Sequence, residues 1–137
     1  MAKQSDREFF VALRNATLKR YVEEIWGWDE AEQRARSDLA FERLPIEIVE
    51  ENGLPVGSLA IVHEDDYDVL EFVAVLPEAQ GQGIGSALIA AVQEEAAQRG
   101  AVLRLSVLVN NPARALYERL GFRVTGIEDP RVFMVWP

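Results

Sequence analysis

Gln80, Gly81, Gln82, Gly83, Ile84, Gly85 and Ser86 follow the apolar run that ends at Val75-Leu76-Pro77, and a segment of helical periodicity follows them. A glycine-rich turn between a strand and a helix can hold a phosphate. Glycine has no Cβ, so the backbone comes close to a ligand, and the helix leaves its first N–H groups unpaired and aimed outward. Those donors and the positive end of the helix dipole suit a pyrophosphate. The spacing limits which one. A dinucleotide turn of the form G-x-G-x-x-G would place glycine where Ser86 stands and an acidic residue at the end of the next strand, and neither is present. A P-loop would need a lysine that Ile84-Gly85-Ser86 does not supply.

The spacing that remains is Gln80-x-x-Gly83-x-Gly85, introduced by Pro77-Glu78. About thirty residues on stands Asn111-Pro112-Ala113-Arg114-Ala115-Leu116-Tyr117-Glu118-Arg119-Leu120-Gly121-Phe122. Together these resemble the two hallmark motifs of the GNAT superfamily of N-acetyltransferases, Q/R-x-x-G-x-G/A and N-x-x-A-x-x-L-Y-x-x-x-G-F. The resemblance runs from about Ile46 to Trp136, whereas the first 44 residues match only as a pair of helices around Trp26-Gly27-Trp28-Asp29-Glu30.

The resemblance implies acetyl-CoA as cosubstrate and no metal. The pyrophosphate falls to Gln80, Gly81, Gln82, Gly83, Ile84, Gly85 and Ser86, with Gln80 standing in for an arginine. The pantetheine arm falls to the strand edge at Val73, Ala74 and Val75, whose side chains also pack. Asn111 would bond the cofactor or cap the helix that follows Pro112. Tyr117 is the implied proton donor to the departing thiolate, since a phenol of pKa near ~10 can serve a thiol near ~8.5; as a core aromatic alone it would not need its hydroxyl. Glu71, at the same strand phase as Val73 and Val75, is the candidate water-mediated base, with His63 as runner-up and no dedicated base as the third possibility. Trp26, Trp28, Asp29 and Glu30 would overhang the acceptor, framing a cation by ring faces and charge or merely forming a tryptophan-anchored helix corner.

Composition sets outer bounds. The 137 residues, 49% of them hydrophobic, suffice for one domain, residues 1–137, with an ordinary core. There is no cysteine, so disulfides, zinc-thiolate sites and a cysteine nucleophile are excluded, which fits a reducing cytoplasm and direct transfer without a covalent intermediate. A single histidine cannot build a metal cluster. The net charge of −9 argues against nucleic acid and favours a cationic partner, or simply keeps the chain soluble. No apolar run nears ~20 residues and no signal segment opens the chain, so a cytoplasmic protein away from membranes is expected, monomeric or homodimeric.

The elements that must position these groups follow from periodicity. Ser5-x-x-Glu8 reads as a capping box for a first helix carrying Phe9, Phe10, Leu13, Thr17, Tyr21, Val22 and Ile25, stopped at Gly27. Asp29-x-x-Glu32 opens a second helix that Pro45 ends. Residues 46–50 and 54–62 are strands around an Asn52-Gly53 hairpin turn, and 69–76 is a buried strand. A helix over 84–99 should turn Ile84, Leu88, Ala91, Val92 and Ala96 to the sheet and Gln93 to water. A strand over 102–109, a helix over 113–120 and closing strands over 122–127 and 132–136 complete the order. This predicts an α/β fold: a GNAT-like mixed sheet with helices on both faces, splayed central strands, and the family's first strand missing or truncated. The expected activity is acetyl transfer from acetyl-CoA to an amine of a small molecule or a peptide. A silent acyl-CoA-binding module of the same fold is the alternative, and an enzyme taking a longer acyl group or a non-amine acceptor is a third.

Overall fold

The computed structural model describes residues 1–137. Helix α1 spans Arg7–Trp26, preceded by a single tight turn at Gln4–Asp6. The expected Ser5-Glu8 box does not form: Asp6 occupies the entry instead, its carboxylate accepting the Lys3 N–H at 2.8 Å and its own N–H donating to the Lys3 carbonyl at 2.8 Å. Gly27, at φ +80°, closes α1 with its N–H on the Glu23 carbonyl. Helix α2, Glu30–Arg43, opens as expected on Asp29, whose side chain accepts the Glu32 N–H at 3.0 Å.

The strands are β1 Ile46–Glu51, β2 Leu54–His63, β3 Tyr67–Val75, β4 Val102–Leu108, β5 Arg123–Glu128 and β6 Arg131–Trp136, with α3 at Ile84–Gln98 and α4 at Ala113–Arg119. Asn52 and Gly53 both have positive φ, which gives the two-residue turn whose twist matches the β1–β2 hairpin. The sheet runs β1-β2-β3-β4-β6-β5, and only β3 and β4 are parallel. No sheet strand precedes α1; the edge at β1 receives one bond from the chain start, Ala2 N–H to the Ile46 carbonyl at 2.8 Å. On one face Phe10 of α1 and Phe41 of α2 pack with Ile46, Ala60 and Phe72. On the other, Ile89, Val92 and Ala96 of α3 and Tyr117 of α4 pack against Leu70, Leu103, Leu105, Val107, Val132 and Met134.

Two departures from the expected pattern shape the site. Strand β3 carries a bulge: Ala60 pairs with Phe72 and Ile61 with Leu70, so Glu71 is an extra residue without a partner. The strict alternation expected to align Glu71 with Val73 and Val75 therefore fails. Leu70 and Val73 both pack into the core under α3, while Phe72 turns to the other face and meets Phe10 at 5.2 Å between ring centroids. Helix α3 departs in phase. Gln93 is buried, its amide donating to the Leu120 carbonyl at 2.7 Å, and Ile89 joins it inside. Ile84, Leu88 and Ala91 turn instead to a shallow groove beside Val49 and Val56 of the β1–β2 hairpin.

Strands β3 and β4 pair only at Tyr67↔Val102, Asp68↔Leu103 and Val69↔Arg104, then separate. A buried carboxylate clamps the joined end. Asp68 is 1% exposed and bonds both His63 Nδ1, at 2.8 Å, and the Arg99 guanidinium. Burial by itself would raise the Asp68 pKa, but the hydrogen bonds from His63 and Arg99 outweigh it and hold the carboxyl below the usual aspartate value. A folded pKa below the unfolded one stabilises the protein above the unfolded value of ~3.9, and this is lost as pH falls through the folded pKa. Asp68→Asn is expected to cost about 2 kcal/mol at pH 7 by thermal unfolding, with the gap to the native protein closing below about pH 4.

Candidate functional site

Where β3 and β4 part, a cleft of about 1020 Å³ runs from Leu105, Ser106, Val107 and Leu108 on one wall to Leu70, Glu71, Phe72 and Val73 on the other. Helices α1 and α2 roof it. That volume suits a ligand of cofactor size. Because β4 leaves β3 after Val69, the β3 backbone groups on that edge from Leu70 onward have no strand partner.

The glycine turn continues from the C-terminal end of β3. None of the backbone N–H groups of Gly81, Gln82, Gly83, Ile84, Gly85 and Ser86 has an acceptor within the protein. Gly81 and Gly83 have φ of +80° and +82°, and a Cβ at either would meet no protein atom within 4 Å. The open side of the turn is therefore solvent space faced by six free donors at the start of a fifteen-residue helix. Gly85 differs, since a Cβ there would make an ordinary contact with the Val75 side chain at 3.9 Å. The Gln80 Nε2 donates to the Val75 carbonyl at 2.9 Å and pins the turn to the strand.

Trp26, Trp28, Asp29, Glu71, Val73, Asn111 and Tyr117 all line the cleft. Ala74 and Val75 extend its β3 wall toward the turn. Asn111 is already engaged as a cap, its Oδ1 accepting the Ala113 N–H at 2.9 Å. Tyr117 is 9% exposed, with its ring edge-on to Phe122 at 5.8 Å and no bond from its hydroxyl to any protein group. Burial pushes its pKa up to about 12.

Three sequence expectations need correction. His63 belongs to the Asp68-Arg99 clamp at the joined end of the strands and does not reach the cleft. Glu30 also lies off the cleft and faces Lys19 at 3.9 Å. The cation frame is taken up from within: the Lys19 ammonium stands 5.6 Å from the Trp28 ring, and the Asp29 carboxylate caps α2. Trp26, 57% exposed, overhangs the mouth, while the Trp28 Nε1 is buried without an acceptor.

Sequence reasoning missed the polar group on the roof. Arg14 of α1 lines the cleft and donates from Nη1 to Gln33 Oε1 at 3.1 Å and Ser37 Oγ at 3.2 Å, both buried residues of α2. The available signal was an arginine one turn after Phe10 on the core-facing stripe, opposite a Gln33-x-x-x-Ser37 spacing.

The family profile described as "Acetyltransferase (GNAT) domain" matches residues 5–124, and the chain belongs to that family of acetyl-CoA-dependent acetyltransferases. Among solved structures, it is similar to the PaiA N-acetyltransferase from Thermoplasma acidophilum in complex with coenzyme A. The TM-score is 0.80 at 15% identity, over 96% of this chain and 92% of that one. It is also similar to the ribosomal-protein-S18-alanine N-acetyltransferase from Escherichia coli, with TM-score 0.71 at 24% identity over 99% and 90%. A GNAT family acetyltransferase from Elizabethkingia anophelis with acetyl-CoA bound gives 0.63 at 18% over 74% and 81%. No curated protein matches the sequence. No helix is long and apolar enough to cross a membrane.

Proposed function

We propose that this acetyltransferase moves its acetyl group directly to an amine. The observation that carries the reading is the continuity of unsatisfied backbone, from the free β3 edge beside Tyr117 to the six open N–H groups of the glycine turn. The β3 edge at Val73, Ala74 and Val75 holds the pantetheine amides as an added strand would. The turn from Gln80 to Ser86 takes the pyrophosphate on its backbone donors, with Gln80 shaping the turn. Asn111 fixes the start of α4 and so the direction in which Tyr117 points.

When bound, acetyl-CoA supplies the thioester carbonyl that an amine attacks and a thiolate that leaves. Glu71, exposed on its bulge and unpaired, takes the proton of the acceptor ammonium through water, which frees the nitrogen lone pair. The amine then forms the new C–N bond as the C–S bond breaks; the Tyr117 hydroxyl gives its proton to the sulfur, and the second proton, shed by the nitrogen as it becomes an amide, returns through water to the Tyr117 oxygen. With no cysteine in the chain, direct transfer needs no thiol intermediate.

Release of free thiol from acetyl-CoA against a broad panel of amines tests this, with cofactor binding followed separately by calorimetry. Glu71→Gln is expected to keep cofactor affinity, to lower turnover at neutral pH by about 10-fold to 10²-fold, and to recover part of it as the pH rises and more acceptor arrives deprotonated. A Glu71→Gln variant with the native pH profile removes Glu71 from the mechanism. Cofactor binding with no thiol release on any amine overturns the amine acceptor.

A further inference from the structure

Arg14 differs from Arg7, Arg20, Arg34 and Arg36 of the α1–α2 pair, each of which meets a carboxylate; Arg43 meets none either, but it is exposed at the end of α2. Arg7 is held by Asp38 and Glu42, Arg34 by Glu8 and Asp38, and Arg36 by Glu32. Arg14 has no carboxylate within 4 Å although it is half-buried in the cleft roof, and its only partners are the neutral Gln33 and Ser37. Burial first, and repulsion by Arg36 second, lower its pKa, the mark of a cation whose counter-charge is absent.

The way it is held matters more. Both of those bonds leave from Nη1, to residues 7% and 0% exposed. Nε and Nη2 bond to nothing in the protein, and neither is sealed off from solvent. The Nε–Nη2 edge is the one that meets a carboxylate with two parallel N–H···O bonds. One end of the guanidinium is anchored, the two-pronged edge is unpaired, and the residue lines the cavity that also contains Glu71 and Tyr117. The charged groups facing the cleft besides these are Asp29, Glu32, Arg36 and Arg131. Asp29 caps α2 and Glu32 pairs with Arg36, so neither carboxylate is available to Arg14.

We infer that the acceptor carries a carboxylate as well as its amine, and that Arg14 binds this carboxylate edge-on while the amine lies toward Glu71. This rests on the amine reading above and narrows it to amino acids and to peptides with a free C-terminus. It also replaces the cationic acceptor expected from the tryptophan segment with a zwitterionic one. Gln33 and Ser37 are then positioning residues that aim the guanidinium.

The experiment uses matched acceptors, each amino acid beside its carboxamide, in the thiol-release assay with the native protein, Arg14→Gln and Arg14→Lys. The native enzyme is expected to prefer the free acid by about 10-fold to 10²-fold in kcat/KM, mostly through KM, as a charge-assisted pair contributes. In Arg14→Gln that preference should fall to about 1. Arg14→Lys should lie between, because an ammonium keeps the charge and loses the paired geometry. Coenzyme A affinity, measured on each variant, reports that it has folded. Equal use of acids and amides by the native enzyme, or a preference that survives in Arg14→Gln, overturns the proposal. If no acceptor releases thiol, amine transfer itself has failed. The carboxylate site is then read by titrating the same acids and amides into the coenzyme A-loaded protein. Binding of acids alone, lost in Arg14→Gln, upholds it, and absent or equal binding overturns it.

Discussion

Gly83→Asp is expected to weaken acetyl-CoA binding by about 10³-fold or more while Gly83→Asn weakens it far less. The two side chains are nearly the same size, and both types adopt the left-handed backbone that Gly83 requires at φ +82° more readily than other residues do. No protein atom lies within 4 Å of the position their Cβ would take, so neither disturbs packing. The charge is what separates them. Like charges at about 4 Å repel by about 4 kcal/mol at an effective dielectric of ~20, which corresponds to about 10³-fold in affinity. Calorimetric titration reads the constants. Acetyl-CoA should raise the Tm of the native protein and of Gly83→Asn but not that of Gly83→Asp, because a ligand bound only to the folded state stabilises it by mass action. A folded Gly83→Asp protein with native affinity would place the pyrophosphate elsewhere.

Tyr117→Phe is expected to lower turnover by about 10²-fold, with acetyl-CoA affinity within a few-fold of native. The ring stays, and with it the edge contact to Phe122 and the burial between α4 and the sheet. The lost hydroxyl bonds to no protein group, so thermal stability should barely change. With its pKa pushed up to about 12, Tyr117 is a neutral donor across the whole physiological range. Any fall in native turnover between about pH 8 and 10 must therefore come from another group, and its profile should be matched by Tyr117→Phe at a lower level. Native turnover in Tyr117→Phe, measured where chemistry limits the rate, would leave Tyr117 as packing alone.

The parts of this site visible in the sequence are those written in local code. Glycine at 81 and 83 announces a backbone that other residues resist, Asp29-x-x-Glu32 announces a helix start, and Asn52-Gly53 a hairpin, each because a few neighbouring residues decide the conformation. The bulge at Glu71 is not local. It exists only in the register between β2 and β3, and no property of residues 69–75 alone distinguishes a bulged strand from a regular one. Gln93 and Gln80 escape a local reading for a related reason: each spends its amide on a carbonyl distant along the fold or folded back on it, which converts an apparently solvent-facing side chain into a structural one. Arg14 combines both difficulties, since its neutral partners lie on another helix and its significance lies in the bonds it does not make.

The three-residue ladder between β3 and β4 makes the six strands behave mechanically as two leaves on a short hinge. From Val69 to Val75 the free arm of β3 is about 20 Å long at ~3.3 Å per residue. Turning that arm by about 5° at the hinge moves its tip by roughly 2 Å, which is more than one methylene adds to the length of a chain. The gape of the cleft at the cofactor end is thus governed by leverage from Tyr67, Asp68 and Val69, none of which needs to touch a ligand. Substitutions beside the hinge that leave every lining side chain intact can alter how closely the strand edge and the glycine turn grip a cofactor, and so selection on cofactor affinity has a handle at the opposite end of the strand from that turn.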